Sequence, residues 1–245
     1  MSFKVDILFS GFSGKLDICY HGWGTWALIR DGKHNIMLDT GYVGLRLNYK
    51  QILAEHGVSC EDIDYVLITH MHFDHACNVD MFPNATFVLS RAEWEYANDL
   101  ERRDLFVEKG AIPVIANGKH MFVEDGDEIL PGITAMLTPG HTPGCCSYIL
   151  DQGNGEKWVL AGDASKNRGE LSTGQVQMSQ NLEASNKSIK RILAAGCRVL
   201  PGHDGWCRVD ADGKVTPEGG NDKVLEFGQG VSINGGLTEI TLRMD

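Results

Sequence analysis

Apolar and polar positions alternate from the start of the chain. Phe3, Val5, Ile7 and Phe9 recur at every second position, the period of a half-buried strand. Trp26-Ala27-Leu28-Ile29 and Asn35-Ile36-Met37-Leu38 flank Asp31-Gly32-Lys33, which predicts two strands joined as a hairpin. A short helix is predicted over 47–55, ended by Gly57, and a buried strand over 65–68. Another strand is predicted over 85–89. Ser90 then precedes Glu93 by three residues, the spacing of a reciprocal helix cap, and Trp94, Ala97 and Leu100 follow at helical intervals. Further strands are expected at 133–137, 146–150, 158–160 and 197–200. A helix over 182–195 carries Ile189, Ile192 and Leu193 on one face, with Gly196 past its end. A last alternating strand, 238–243, follows the hairpin signal Asn234-Gly235-Gly236. Many short strands, about three or four helices and no strict strand–helix rhythm predict an α+β protein, with sheets packed on one another and helices outside.

Composition narrows the class without changing this picture. The 245 residues are 42% hydrophobic and 22% charged, ordinary for a folded globular chain. The length suits one domain over 1–245, with a strand-rich extension from about 209. Acidic residues outnumber basic ones, 33 to 22, for a net charge of −11. That balance disfavours nucleic acid and anionic membranes as partners. No apolar run approaches the ~18 residues of a membrane span. Met1-Ser2-Phe3-Lys4-Val5-Asp6 lacks the apolar stretch of a secretory signal, so the expected location is cytoplasmic. The seven cysteines form no C-x-x-C pair and read as free thiols of a reducing compartment. Cys145 and Cys146 enter an apolar strand and read as small buried hydrophobes.

The chemistry lies in His and Asp. His70-Met71-His72-Phe73-Asp74-His75 follows the apolar run Tyr65-Val66-Leu67-Ile68, so its side chains sit on a loop anchored to a strand. His70 and His72 alternate and can point the same way. Asp74 and His75 are adjacent and can face a second ion as the chain turns. Imidazole with carboxylate suits zinc, iron or manganese. Three more candidates, His141, Asp163 and His203, each follow an apolar strand and a glycine, which lets the backbone turn sharply. Together these residues suffice for two adjacent ions, a bridging carboxylate and a position for water. His21, His34, His56 and His120 have no such setting and read as packing or surface residues.

Taken in order, Thr69-His70-Met71-His72-Phe73-Asp74-His75, Pro139-Gly140-His141-Thr142-Pro143-Gly144, Gly162-Asp163 and Gly202-His203-Asp204 resemble the motifs of the metallo-β-lactamase superfamily. Leu38-Asp39-Thr40-Gly41 matches a further element of that family. The resemblance implies an αβ/βα sandwich, two mixed β-sheets face to face with helices on the outer faces. It implies His70, His72 and His141 on one metal, and Asp74, His75 and His203 on the other. Asp163 would bridge them and Asp39 would support them. The implied cofactors are two divalent ions, zinc first, with iron or manganese as alternatives. The implied mechanism is hydrolysis by a metal-bridging hydroxide, with Asp74 as the catalytic proton carrier.

Local motifs are most similar to the N-acyl homoserine lactone lactonases: His72-Phe73-Asp74-His75-Ala76, the Arg91-to-Ala97 stretch, and Gly202-His203-Asp204. This resemblance implies cleavage of a small lactone or ester. Two features depart from it. The lactonases carry a Tyr shortly after the bridging Asp, whereas Asp163 is followed by Ala164-Ser165-Lys166-Asn167. Lys166 is then the substitute substrate contact, alongside Phe73. The tail from about 209 has no lactonase counterpart. A phosphodiesterase, nuclease or thioesterase of the same superfamily is the alternative, ahead of a β-lactamase or a persulfide dioxygenase. A basic cleft beside the metals would favour phosphodiesters, and an apolar pocket near Trp94 would favour lactones. The expected partner is a small-molecule substrate, and the tail strands offer an edge for a homodimer.

Overall fold

The computed structural model describes residues 2–15, 17–99, 101, 104–220, 222–226 and 239–243. A first sheet orders β1 (Lys4–Phe9), β2 (Trp26–Arg30), β3 (Asn35–Leu38), β4 (Tyr65–Leu67), β5 (Thr86–Ser90) and β6 (Lys119–Val123) side by side in chain order. Its first three strands pair antiparallel, the rest parallel. A second sheet runs in chain order through β7 (Glu128–Leu130), β8 (Ile133–Leu137), β9 (Cys146–Asp151), β10 (Lys157–Gly162), β11 (Arg198–Pro201), β12 (Cys207–Val209) and β13 (Val215–Pro217). Only β10 and β11 pair parallel in it. β14 (Lys223–Glu226) and β15 (Glu239–Leu242) make a separate antiparallel pair.

Both faces of the central strands are apolar, so each sheet is covered twice. From β2, Ala27 and Ile29 face inward with Ile36, Leu38, Leu67 and Val88, and meet Ala135, Tyr148, Leu150, Leu160 and Leu200 of the second sheet. Trp26 and Leu28, one residue out of phase, face outward. There they pack against Tyr49 and Leu53 of α1 (Tyr49–Glu55), together with side chains of α3 (Arg91–Asn98) and α4 (Ala111–Asn117). Between α1 and α3 lies the short α2 (Phe73–Ala76). On the other side Val159, Ala161 and Val199 pack against Leu171 of α5 (Arg168–Thr173) and Ile189 and Ile192 of α6 (Leu182–Ala195). The four layers run helix, sheet, sheet, helix, as expected from the sequence.

Several boundaries differ from the sequence expectation. The helix expected from 47 begins at Tyr49, because a tight turn over Val43–Leu45 precedes it. Six helices are present among the described residues, more than the pattern suggested. α2, α4 and α5 are too short, at four to seven residues, to show a helical period. The expected last strand appears as β15, whereas Leu100 and the Asn234-Gly235-Gly236 turn lie outside the described residues. No helix is long and apolar enough to cross a membrane among the described residues.

Candidate metal centre

The sequence-predicted ligands leave the two sheets at one end. β4 stops at Leu67, and His70 and His72 follow in extended chain before α2, which carries Asp74 and His75. His141 lies in the turn after β8, Asp163 directly after β10, and His203 two residues after β11. Glycines make these turns sterically feasible. Gly162 has φ +52, and a Cβ on Gly202 would stand 2.2 Å from Asp163 Oδ1. Asp39, after β3, is a non-glycine residue at φ +53. Its side chain accepts from the Thr69 backbone N–H and hydroxyl at 2.7 and 2.9 Å, which holds the start of the ligand loop.

All seven residues converge. Ligand atoms of His70, His72 and His141 lie within 4.8 Å of one another, as do those of His70, His75 and Asp163, and those of Asp74, His75 and His203. Asp163 joins the groups. Its Oδ2 is 3.3 Å from His141 Nε2, and its Oδ1 is 3.2 Å from both His75 Nε2 and His203 Nε2. His141 Nε2 is 3.0 Å from His72 Nδ1, and Asp74 Oδ2 is 3.5 Å from His203 Nε2. Tetrahedral zinc with bonds near 2.0–2.1 Å needs ligand atoms ~3.3 Å apart, so these spacings fit.

Hydrogen bonds on the outer ring nitrogens set the orientation. His75 Nδ1 meets Asp39 Oδ2 at 2.8 Å, His70 Nδ1 meets Thr69 Oγ1 at 3.1 Å, and His203 Nδ1 meets the Phe12 carbonyl at 3.2 Å. Each partner takes the N–H and leaves Nε2 as a lone pair facing inward. His72 is reversed, with Nε2 on Asp104 Oδ2 at 3.0 Å and Nδ1 inward. His70 Nε2, His75 Nε2 and Asp163 Oδ1 are buried and make no hydrogen bond. Buried lone pairs that converge without donors are what a cation satisfies. The donor set therefore fits two divalent ions.

Electrostatics divide the imidazoles. Burial, then the neighbouring imidazoles, push His70 well below the ordinary range. His141 is pushed down to about 3, chiefly by burial. Burial also acts against charge on His75, but Asp74, Asp163 and Asp39 outweigh it and raise its pKa. Burial alone would raise Asp163, yet His203, His141 and His75 hold it well below the usual carboxylate range. Neutral imidazole and ionised carboxylate are the ligating forms.

Three groups have supporting roles that the sequence reading did not assign. Glu93 reads as half of a reciprocal cap. The Ser90 hydroxyl does accept from Glu93 N at 3.0 Å. The Glu93 carboxylate instead accepts from Met71 N at 2.8 Å and the Thr142 hydroxyl at 2.6 Å, tying two ligand loops together. Asp104 holds His72, and that contact with the Tyr96 hydroxyl keeps its carboxyl well below the ordinary range despite burial. The buried Asp204 takes Arg168 through both carboxylate oxygens, anchoring the His203 turn to α5. The Glu93 spacing was visible, but no local signal marks Asp104 or Arg168.

A cavity of about 660 Å³ opens onto the cluster, with His72, Asp74, His141, Asp163 and His203 at its floor. Phe73, Phe106, Tyr20, Met178 and Leu182 supply apolar wall, and Lys166 is also on the lining. The Lys166 ammonium reaches Glu170 Oε1 and the Met178 carbonyl, each at 2.9 Å. Trp94 is absent from the lining, so the cavity is not the apolar pocket near Trp94 that would have favoured lactones; it packs near His120 and Phe122 on the outer face of the first sheet.

The class is set by a sandwich of two mixed sheets with a His/Asp cluster that could hold metal at their strand ends. Residues 24–215 match the family model of the metallo-beta-lactamase superfamily, and the chain belongs to that superfamily. It is 29% identical over 157 residues to an N-acyl homoserine lactonase of Bacillus cereus, covering 62% of this chain and 60% of that protein. The chain thus spans about 60% of the length of the curated lactonases it matches. It is 27% identical over 220 residues to metallo-beta-lactamase domain-containing protein 1 of Xenopus laevis, covering 88% and 85% of the two chains. A Bacillus thuringiensis AiiA variant, solved with N-decanoyl-L-homoserine at its active site, shares the fold at TM-score 0.67 and 20% identity, over 83% of this chain and 94% of that one.

Proposed function

We propose that this chain hydrolyses a small lactone or ester, with N-acyl homoserine lactones as the leading substrate class. One observation carries the reading: a donor cluster shared through Asp163 forms the floor of a 660 Å³ cavity with an apolar wall. In this proposal His70, His72 and His141 hold one ion, and Asp74, His75 and His203 hold the other. Asp163 lies between them, and Asp39 orients His75. When bound, a pair of divalent ions, zinc first, would supply Lewis acidity toward the ester carbonyl and lower the pKa of water from ~15.7 toward ~7.

The chain's own groups do the rest. Asp74 lines the cavity with Oδ2 3.5 Å from His203 Nε2, and it takes the proton of the attacking water and returns it to the leaving oxygen. Phe73 and Phe106 hold the acyl portion and exclude water. Lys166 has two ammonium contacts in the protein and offers its third N–H to a substrate oxygen. A phosphodiester is the weaker fit, because among the described residues Lys15 and Lys166 are the only basic side chains besides histidine on the lining, and Lys166 is paired with Glu170. Seven free cysteines support the cytoplasmic reading. The proposal takes 1–245 as one catalytic domain.

Proton release on mixing zinc-loaded protein with N-acyl homoserine lactones tests this reading, with His72→Ala as the control. The expected result is ring opening by the wild type that is lost in the control. No release from metal-loaded wild type would remove the lactone assignment and move the weight to thioesters and phosphodiesters.

A further inference from the structure

We propose that Asp104 is the positioning residue of His72, and that Gln180 ties this support to the wall of the cavity; the inference rests on the metal-site reading above. Residues 104–108 run antiparallel along the ligand loop. Phe73 N donates to the Phe106 carbonyl at 2.8 Å, Glu108 N donates to the Met71 carbonyl at 2.7 Å, and His72 bridges to Val107. This places the Asp104 side chain, 10% exposed, directly behind the His72 ring.

Its two oxygens have different tasks. Oδ1 accepts from the Phe106 backbone N–H at 2.9 Å, which turns the segment so that Phe106 enters the cavity wall. Oδ2 accepts from His72 Nε2 at 3.0 Å, from the Tyr96 hydroxyl at 2.6 Å and from Gln180 Nε2 at 2.8 Å. A carboxylate behind the ring fixes which nitrogen carries the proton and so leaves Nδ1 as the ligand atom. It also stops the ring from turning. His72 is the one candidate ligand whose inward atom is Nδ1, so its orientation is not supplied by Asp39, Thr69 or a backbone carbonyl as for His75, His70 and His203.

Tyr96 comes from α3 and Gln180 from the chain just before α6, so three separate segments meet at one oxygen. Gln180 also donates to the Tyr96 hydroxyl and lines the cavity. The same bonds that aim His72 therefore hold the 177–182 wall in place. Loss of Gln180 frees one side of the carboxylate and loosens the ligand from a distance.

The test titrates the full chain with zinc against a chelating indicator and records the absorption spectrum of the cobalt(II)-loaded protein. Asp104→Ala is expected to weaken one of two zinc sites ~10–100-fold and to shift the cobalt d–d band. Asp104→Asn, whose side-chain oxygen still accepts from Nε2–H, is expected to recover most of that affinity. Gln180→Ala is expected to move both readouts in the same direction by a few-fold, and it serves if Asp104→Ala does not fold. If the Asp104 and Gln180 variants bind both ions within about twofold of wild type with an unchanged band, the positioning role is overturned. Wild-type protein that takes up neither zinc nor cobalt defeats the metal-site reading itself, a different result from the first.

Discussion

Glu93 is fully buried, and its partners stand on two different ligand loops. Burial raises its pKa, opposed by the Thr142 hydroxyl and the Met71 N–H. Glu93→Ala leaves that N–H and hydroxyl without an acceptor, each costing roughly 1–3 kcal/mol. The expected loss is about 3 kcal/mol of unfolding free energy, read from urea denaturation of the metal-free protein; a loss below about 0.5 kcal/mol would show that the two loops are held otherwise. The contrast with the seven candidate ligands explains what was legible. Four of them stand within six consecutive positions and the others follow glycines at strand ends, so their setting is local. Glu93 and Asp104 act on residues 22 to 49 and 32 positions away, and no neighbouring residue in the chain marks them.

Helices and strands contribute by where they end. The apolar strands before His141, Asp163 and His203 were readable because both their faces are buried, which makes continuous hydrophobic runs. The edge strand β6 was not, since Lys119, His120 and Met121 are exposed and break the pattern. The pairing of β10 with β11, which sets Asp163 beside the His203 turn, depends on register and is invisible in composition. That closeness predicts a sharp glycine requirement. In Gly202→Ala the new Cβ would fall 2.2 Å from Asp163 Oδ1 and 2.7 Å from the Gly162 carbonyl carbon. Zinc binding at the Asp163 sites should fall at least ~10-fold by chelator competition, whereas Gly220→Ala, with nothing within 4 Å, should bind as wild type. Equal binding by both variants would mean that the turn relaxes freely.

At the scale of the whole molecule, four layers leave one end of the sandwich to chemistry and the outer strand β1 to charge pairing. Asp6 on β1 is held below its ordinary value of 3.8: burial alone would raise it, but hydrogen bonds from Lys4 and Arg30 outweigh that. A depressed carboxylate stabilises the fold above its unfolded pKa and loses that contribution as pH falls through the folded one. The advantage of wild type over Asp6→Asn in urea denaturation should therefore hold at pH 7, begin to fall near pH 4 and be lost as the pH drops through the depressed folded value. An advantage unchanged at pH 3 would contradict the pairing.

The sandwich, its inward lone pairs and the shared carboxylate all lead to one claim, that this chain holds two ions side by side. Elemental mass spectrometry of zinc-loaded, desalted protein, beside Asp163→Ala, tests it directly. The account predicts two zinc ions per wild-type chain and one or fewer in the variant. One ion per wild-type chain, or two ions retained without Asp163, would contradict it.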